Sequence, residues 1–85
     1  MRFFESELDL HRHTVEEALP KLDQYLYQAY MSGLSSVCIN HGKGTGTLRQ
    51  AIYRELKNNS LVKLFRAGQK GEGGIGVTIV EITDH

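Results

Sequence analysis

The sequence predicts an α/β chain: an α+β two-layer sandwich of order β-α-β-α-β-β, with two helices on a mixed four-stranded sheet. Three observations predict it. Apolar residues switch from strand-like runs to helical spacing and back, twice. Each helical stretch lies between two strand-like runs, and such units join parallel strands by a crossover. The last two runs follow one another with only a glycine-rich loop between them, so the sheet is mixed rather than wholly parallel.

Each element has its own signal. Glu7–His11 reads as a short strand, with Leu8 and Leu10 on one face and Asp9 and His11 on the other. Thr14-Val15-Glu16-Glu17 is a capping-box pattern that starts a helix. Val15, Ala18, Leu19, Leu22, Leu26, Ala29 and Tyr30 form its buried stripe, and Pro20 is expected to kink its first turns. Gly33 marks its end. Val37-Cys38-Ile39 suits a central strand. A glycine-rich turn, His41 to Gly46, leads into a second helix marked by Leu48, Ala51, Ile52 and Leu56 and ended near Asn58-Asn59. Leu61–Ala67 and Val77–Ile82 read as the third and fourth strands. The loop between them is expected to be a flexible hairpin connection. Tyr25, Tyr27, Tyr30 and Tyr53 fall at helical positions and read as packing and surface rather than as base-stacking platforms.

Composition narrows the function. The 85 residues make one small domain, 1–85, with its motifs in 8–82. A single cysteine excludes a disulfide framework and a Cys-rich zinc site. Cys38 itself reads as a small buried hydrophobe. No apolar run approaches the roughly 20 residues that cross a bilayer, and the first residues lack the apolar core of a secretory signal. The expected setting is cytoplasmic, with no membrane partner. Net charge is zero, but its distribution is uneven. Residues 1–42 carry three basic and six acidic side chains. Residues 43–70 carry seven basic ones (Lys43, Arg49, Arg54, Lys57, Lys63, Arg66, Lys70) against Glu55 alone. Such a basic middle is either a set of solvated faces or a surface for a polyanion.

Topology then gathers the chemistry. If the first three strands run parallel, their carboxyl ends share one rim, where open α/β sheets generally bind ligands. His11-Arg12-His13 follows the first strand, His41 to Gly46 the second, and the 68–76 glycine loop the third. His41-Gly42-Lys43-Gly44-Thr45-Gly46-Thr47-Leu48-Arg49 runs from a buried strand into a helix. Exposed backbone N–H groups, the helix dipole, Lys43 and Arg49 favour a phosphate there. It is not a Walker A loop, because Gly44 rather than Ser or Thr follows Lys43. Gly71-Glu72-Gly73-Gly74-Ile75-Gly76 matches a dinucleotide-binding pattern, but a strand follows it where a helix is required. His11 and His41, at neighbouring strand ends, read either as a base and acid for proton transfer, with Asp9 orienting one of them, or as capping histidines beside a solvent-facing aspartate. His13 reads as solvent-exposed near the helix start, and His85 is terminal. No residue spacing supports a resident metal site; only Asp9 and Glu72 are carboxylates near the rim.

Four blocks together resemble the small MutS-related (Smr) domain: Leu8-Asp9-Leu10-His11, Val15-Glu16-Glu17-Ala18, His41 through Arg49, and Gly73-Gly74-Ile75-Gly76-Val77-Thr78. The likeness is greatest to the Smr domain ending the bacterial MutS paralogue that acts outside mismatch repair. It implies a sandwich similar to the C-terminal domain of translation initiation factor three. It also implies nuclease activity, nicking DNA in some members and cutting RNA in others, with links to recombination suppression and to collided ribosomes. Asp9 and His11 fall in the family's acidic-histidine motif, and His41, Gly42, Lys43 and Gly44 in its glycine loop. Arg12 stands where the family usually has glycine.

The sequence therefore leads us to expect an endonuclease of this type. Asp9, His11 and His41 are its expected catalytic residues. Arg12, Gly42, Lys43, Gly44, Thr45, Gly46 and Arg49 are expected to hold nucleic acid. DNA or RNA is the expected partner, with the ribosome as a further one the resemblance implies, within a larger ATPase-containing chain. No cofactor is required, except that a divalent ion (Mg or Mn) at Asp9 becomes plausible if DNA is cut by water. The alternatives are a non-catalytic module binding DNA, RNA or a ribosome through the same rim, and, more weakly, an enzyme acting on a small phosphorylated metabolite.

Overall fold

A computed structural model describes residues 4–84. Met1 to Phe3, where the reading of a missing signal core begins, and the terminal His85 lie outside the described residues. The elements are β1 (Ser6–Asp9), α1 (Val15–Met31), β2 (Ser36–Asn40), α2 (Thr47–Asn58), β3 (Val62–Ala67), a short 3-10 turn at Gly74–Gly76 and β4 (Val77–Ile82). The sheet order is β1-β2-β4-β3. β1 and β2 are parallel, and β4 runs antiparallel to both β2 and β3. The first three strands therefore share a direction, and β4 inserts between two of them. Both crossovers step across the sheet the same way. Right-handed connections of that kind lay their helices on one face.

Strand alternation assigns that face. Val37, Ile39, Val80 and Ile82 join Ala18, Leu22, Leu26, Ala29, Ile52 and Leu56 in one core between sheet and helices. Leu10 is fully buried in it, although β1 ends at Asp9, one residue sooner than Leu10. Burying one such leucine is worth about 1.5–3 kcal/mol, so a core this thin depends on each of them. The other face carries only a small cluster, Cys38, Val77 and Ile79, with Phe4 packed on it. Burial pushes the Cys38 thiol up to about 11, which suits a packing residue rather than a nucleophile. Tyr25 donates to Ser6 at 2.6 Å, and the Tyr53 and Phe65 rings pack 5.2 Å apart, so these tyrosines serve packing.

Two expectations change. α1 continues through Pro20 as one element, with Glu16 and Pro20 both on its exposed side, where a missing backbone bond is least costly. At its end, Gly33 N–H donates to Tyr30 and Leu34 N–H to Ala29, a Schellman closure. The loop after β3 is not a loose hairpin connection. Glu72 reaches back to β3 and takes two bonds from Arg66, each 2.8 Å, plus the backbone N–H of Gln69. A Cβ on Gly68 would lie 2.3 Å from Val77 and 2.7 Å from the Gly74 carbonyl, so the loop closes tightly upon itself. Among the described residues no helix is long and apolar enough to cross a membrane.

Candidate functional site

The shared direction of β1, β2 and β3 brings the predicted segments to one rim. Leu10 N–H donates to the Asn40 carbonyl at 2.7 Å, which ties the end of β1 to the end of β2. The Gly76 carbonyl accepts both His41 N–H (3.0 Å) and Gly42 N–H (2.9 Å), which ties the second glycine loop to the first. Gly42 stands at the junction. Its φ is +76°, and a Cβ there would press within 3.3 Å of His11 Cβ. Glycine is required both by conformation and by contact.

On the helix side of this lip lies a cleft of about 290 Å³, lined by the first turns of both helices, Arg12, His41 and the Gly42–Arg49 loop. α2 starts at Gly46 with no side-chain cap and no acidic residue in its first turn. Within the turn, Thr45 Oγ1 lies 3.0 Å from Thr47 Oγ1 and 3.4 Å from its N–H. A helix start left open in this way, flanked by Arg12 and Arg49, is suited to an anion. Arg12 has φ +69°, the left-handed region that costs a non-glycine residue about 1 kcal/mol. An arginine in this conformation adds a cation to the cleft at the expense of backbone strain.

On the other side of Gly42 are Asp9 and His11, both half-exposed. Asp9 Oδ1 accepts the His11 backbone N–H at 3.0 Å and makes a short contact with His11 Nδ1. The His11 ring bond is the main cause holding the Asp9 carboxyl below its ordinary value. Nδ1 bound to a carboxylate is the protonated nitrogen, so Nε2 carries the lone pair and has no partner among the described residues.

His41 takes a different place from the one expected of an acid–base partner. It is 5% exposed. Nδ1 donates to the Gly42 carbonyl at 3.0 Å, and Nε2 accepts from the fully buried Thr78 hydroxyl at 2.8 Å. Burial pushes its pKa down. Strand alternation sends its ring to the helix face, with Ile39 and Thr78, while Asp9 pairs with Asn40 on the opposite face. The two imidazoles therefore share a rim but not a side, and His41 is a loop anchor. His13 is only part-exposed: its Nε2 accepts from Lys21 at 2.8 Å.

As for a divalent ion, Glu72 is committed to Arg66, which holds its carboxyl down at about 2. No group of three His, Cys, Asp or Glu that could hold a metal gathers among the described residues. Asp9 would be the protein's ligand to Mg or Mn, and substrate phosphates would have to supply others, as they commonly do for Mg.

The Smr domain family model matches residues 8–83. The chain belongs to the Smr domain family. It is 54% identical over 76 residues to Endonuclease MutS2 of Pelotomaculum thermopropionicum, covering 89% of this chain and 10% of that protein. Against Endonuclease MutS2 of Clostridium acetobutylicum it is 57% identical over 75 residues, covering 88% and 10%. This Smr chain thus spans about a tenth of the length of these relatives. Its fold superposes on the crystal structure of the Smr domain of Thermus thermophilus MutS2 with a TM-score of 0.90 and 47% identity, covering 93% and 99% of the two chains. It also matches the stand-alone small MutS-related protein YdaL of Escherichia coli, with a TM-score of 0.86 and 27% identity over 92% and 67%. The relatives that carry this domain are named Endonuclease MutS2, and the family match takes in the whole rim, from Asp9 to Thr78.

Proposed function

We propose that this Smr domain is an endonuclease that lays a nucleic-acid strand across the lip at Gly42 and cuts a phosphodiester beside it. One observation supports this above the others: an open helix start with Arg12 and Arg49 lies on one side of a side-chain-free residue, Lys43 follows that residue in the chain, and the Asp9–His11 pair lies on the other side. One phosphate would sit on the α2 first turn, with Thr45, Gly44 and Gly46 letting the backbone approach. The neighbouring linkage would reach His11.

The chemistry follows from the tautomer. Asp9 keeps the proton on Nδ1, so Nε2 is the base. With RNA, Nε2 takes the 2′-hydroxyl proton, the 2′-oxygen bonds to phosphorus, and the 5′-oxygen leaves and is protonated by water. With DNA, Nε2 takes a proton from an attacking water, the water oxygen bonds to phosphorus, and one ester oxygen leaves and is protonated by solvent. Lys43 and Arg12 offset the charge growing on the phosphoryl oxygens. A divalent ion, when bound at Asp9, would supply further charge stabilisation. His41 holds the loop and moves no proton. Within a MutS2-like chain, the remaining polypeptide, including an ATPase part, would deliver this face to DNA, RNA or a ribosome.

The test uses supercoiled plasmid and single-stranded RNA, each with and without EDTA. Cutting by the wild-type chain that His11→Ala abolishes, with binding kept, supports the proposal. Salt-sensitive binding without any cutting would reassign the rim to a binding module. Neither binding nor cutting would remove the nucleic-acid reading.

A further inference from the structure

Among the described residues, the 68–76 loop holds the one large apolar side chain at the rim that faces solvent. Ile75 is 58% exposed. A lone exposed isoleucine on a loose loop needs no explanation. Ile75 is different because everything around it is held. It is the middle residue of the 3-10 turn Gly74–Gly76. On one side, the Gly76 carbonyl is bonded to the N–H groups of His41 and Gly42 at the lip. On the other, Gly74 N–H donates to the Gln69 carbonyl at 3.2 Å, inside the turn that the Arg66–Glu72 pair secures to β3. The Glu72 side chain is 2% exposed and the Arg66 side chain 40%, so the carboxylate end of this brace is packed against the loop. Gly71, Gly73 and Gly74 precede Ile75 and Gly76 follows it, so few neighbouring side chains can crowd it. Gly76 is also close to the cationic side: a Cβ there would be 3.4 Å from Lys43 Cγ.

We infer that Ile75 is a nucleobase contact. As the proposed strand crosses Gly42 with its phosphates on the cations, its bases face the loop that supplies the lip's other wall. Ile75 is fixed there as an apolar wedge against a base face or between two bases. Rigid apolar side chains of this kind are used in that way by proteins that unstack nucleic acid. The brace is the reason such a contact would strengthen binding, since a preordered side chain loses little freedom when the base arrives. Arg66 and Glu72 are then positioning residues for Ile75 and for the lip, and touch no substrate themselves. This inference rests on the nucleic-acid reading of the rim.

The experiment compares two polyanions. A short single-stranded RNA carries bases, whereas inorganic polyphosphate carries the charge without them. Affinities of the 85-residue chain for both are measured over a salt series. Ile75→Ala is expected to weaken RNA binding about five- to tenfold, leave polyphosphate binding unchanged, and leave the salt slope unchanged, because that slope counts phosphates. Ile75→Phe should keep or raise RNA affinity, since an aromatic ring stacks at least as well. Lys43→Ala should weaken both ligands and reduce the slope by about one. RNA affinity unmoved by Ile75→Ala, an equal loss on both polyanions, or a Phe variant as weak as the Ala variant would each overturn the base contact while leaving the cationic cleft standing. Should the wild-type chain bind single-stranded DNA but not RNA, the same comparison is read on DNA; a chain that binds polyphosphate but neither nucleic acid would overturn the nucleic-acid reading and this inference with it.

Discussion

Two helices begin at the same rim, and their first turns are finished in opposite ways. At α1, Thr14 Oγ1 accepts Glu17 N–H at 3.2 Å, and the Glu17 side chain accepts Thr14 N–H at 2.9 Å. Glu16 and Glu17 also place negative charge on that end of the dipole. At α2, Gly46 offers no side chain, no acid follows, and Arg49 and Arg12 stand by. The first start is closed by its own residues and serves the fold. At the second, the Thr47 N–H reaches Thr45 Oγ1 at 3.4 Å, but no cap side chain and no acid answers the dipole, which is left for something outside the chain. The difference shows that a glycine-rich strand-to-helix turn points to a ligand when the helix it opens is also left uncapped, because a helix satisfied from within has nothing left to offer an anion.

The largest expected effect tests what the open end is for. If the strand held there is cut by the group across the lip, His11→Ala should slow cleavage by about 10²–10⁴-fold, the usual worth of a general base. Its affinity should stay near wild type, measured by gel shift beside the cleavage assay. An unchanged rate would separate the open helix start from catalysis.

Next, the open end can be closed. Thr47→Asp puts an acid on the first turn of α2, copying the charge of α1. It should stabilise the helix by about 0.3–1 kcal/mol in urea unfolding. RNA affinity should nevertheless fall about tenfold at low salt. Thr14→Ala performs the reverse operation at α1: unfolding free energy should drop by about 1 kcal/mol, with RNA affinity unmoved. Equal effects of the two variants on binding would abolish the contrast between the ends.

The smallest effect concerns pH. His41 is buried and its pKa is pushed down, so the unfolded chain binds a proton more readily than the folded one. Its contribution to stability is complete above the unfolded value of about 6.5 and is lost as pH falls toward the lower folded value. Urea midpoints should therefore decline between about pH 6.5 and 5, before carboxylates such as Glu72 begin to take up protons. His41→Gln should flatten that decline. A wild-type midpoint constant across the window would deny His41 its role as a neutral anchor.

Much of this was legible in the residues. The capping box at Thr14, the stop at Gly33 and the span of β4 from Val77 to Ile82 are written in short stretches, since caps and alternation act over a few residues. The meeting of residues 11, 41 and 76 at one rim follows from strand direction, which the β-α-β order implies. The face of Asp9 and His11 was legible from alternation with Leu8 and Leu10, but the place of the His41 ring was not. His41 is satisfied by Thr78, 37 positions away, and only the insertion of β4 beside β2 brings that hydroxyl to it. Nor does any local pattern announce that Arg66 belongs to Glu72. The basic middle of the chain therefore reads as more freely cationic than it is.

By itself, the sequence determined which segments become helix and strand, which helix start is capped, and which residues reach the carboxyl end of the sheet. All of these depend on local periodicity and on the order of elements. Tertiary structure alone decided that Asp9 and His11 stand across Gly42 from the anion cleft, that His41 is an anchor, and that the 68–76 loop is braced. These depend on strand register and on side chains distant in sequence, because a hydrogen bond needs its two atoms within about 3 Å and only packing settles which distant atoms come that close.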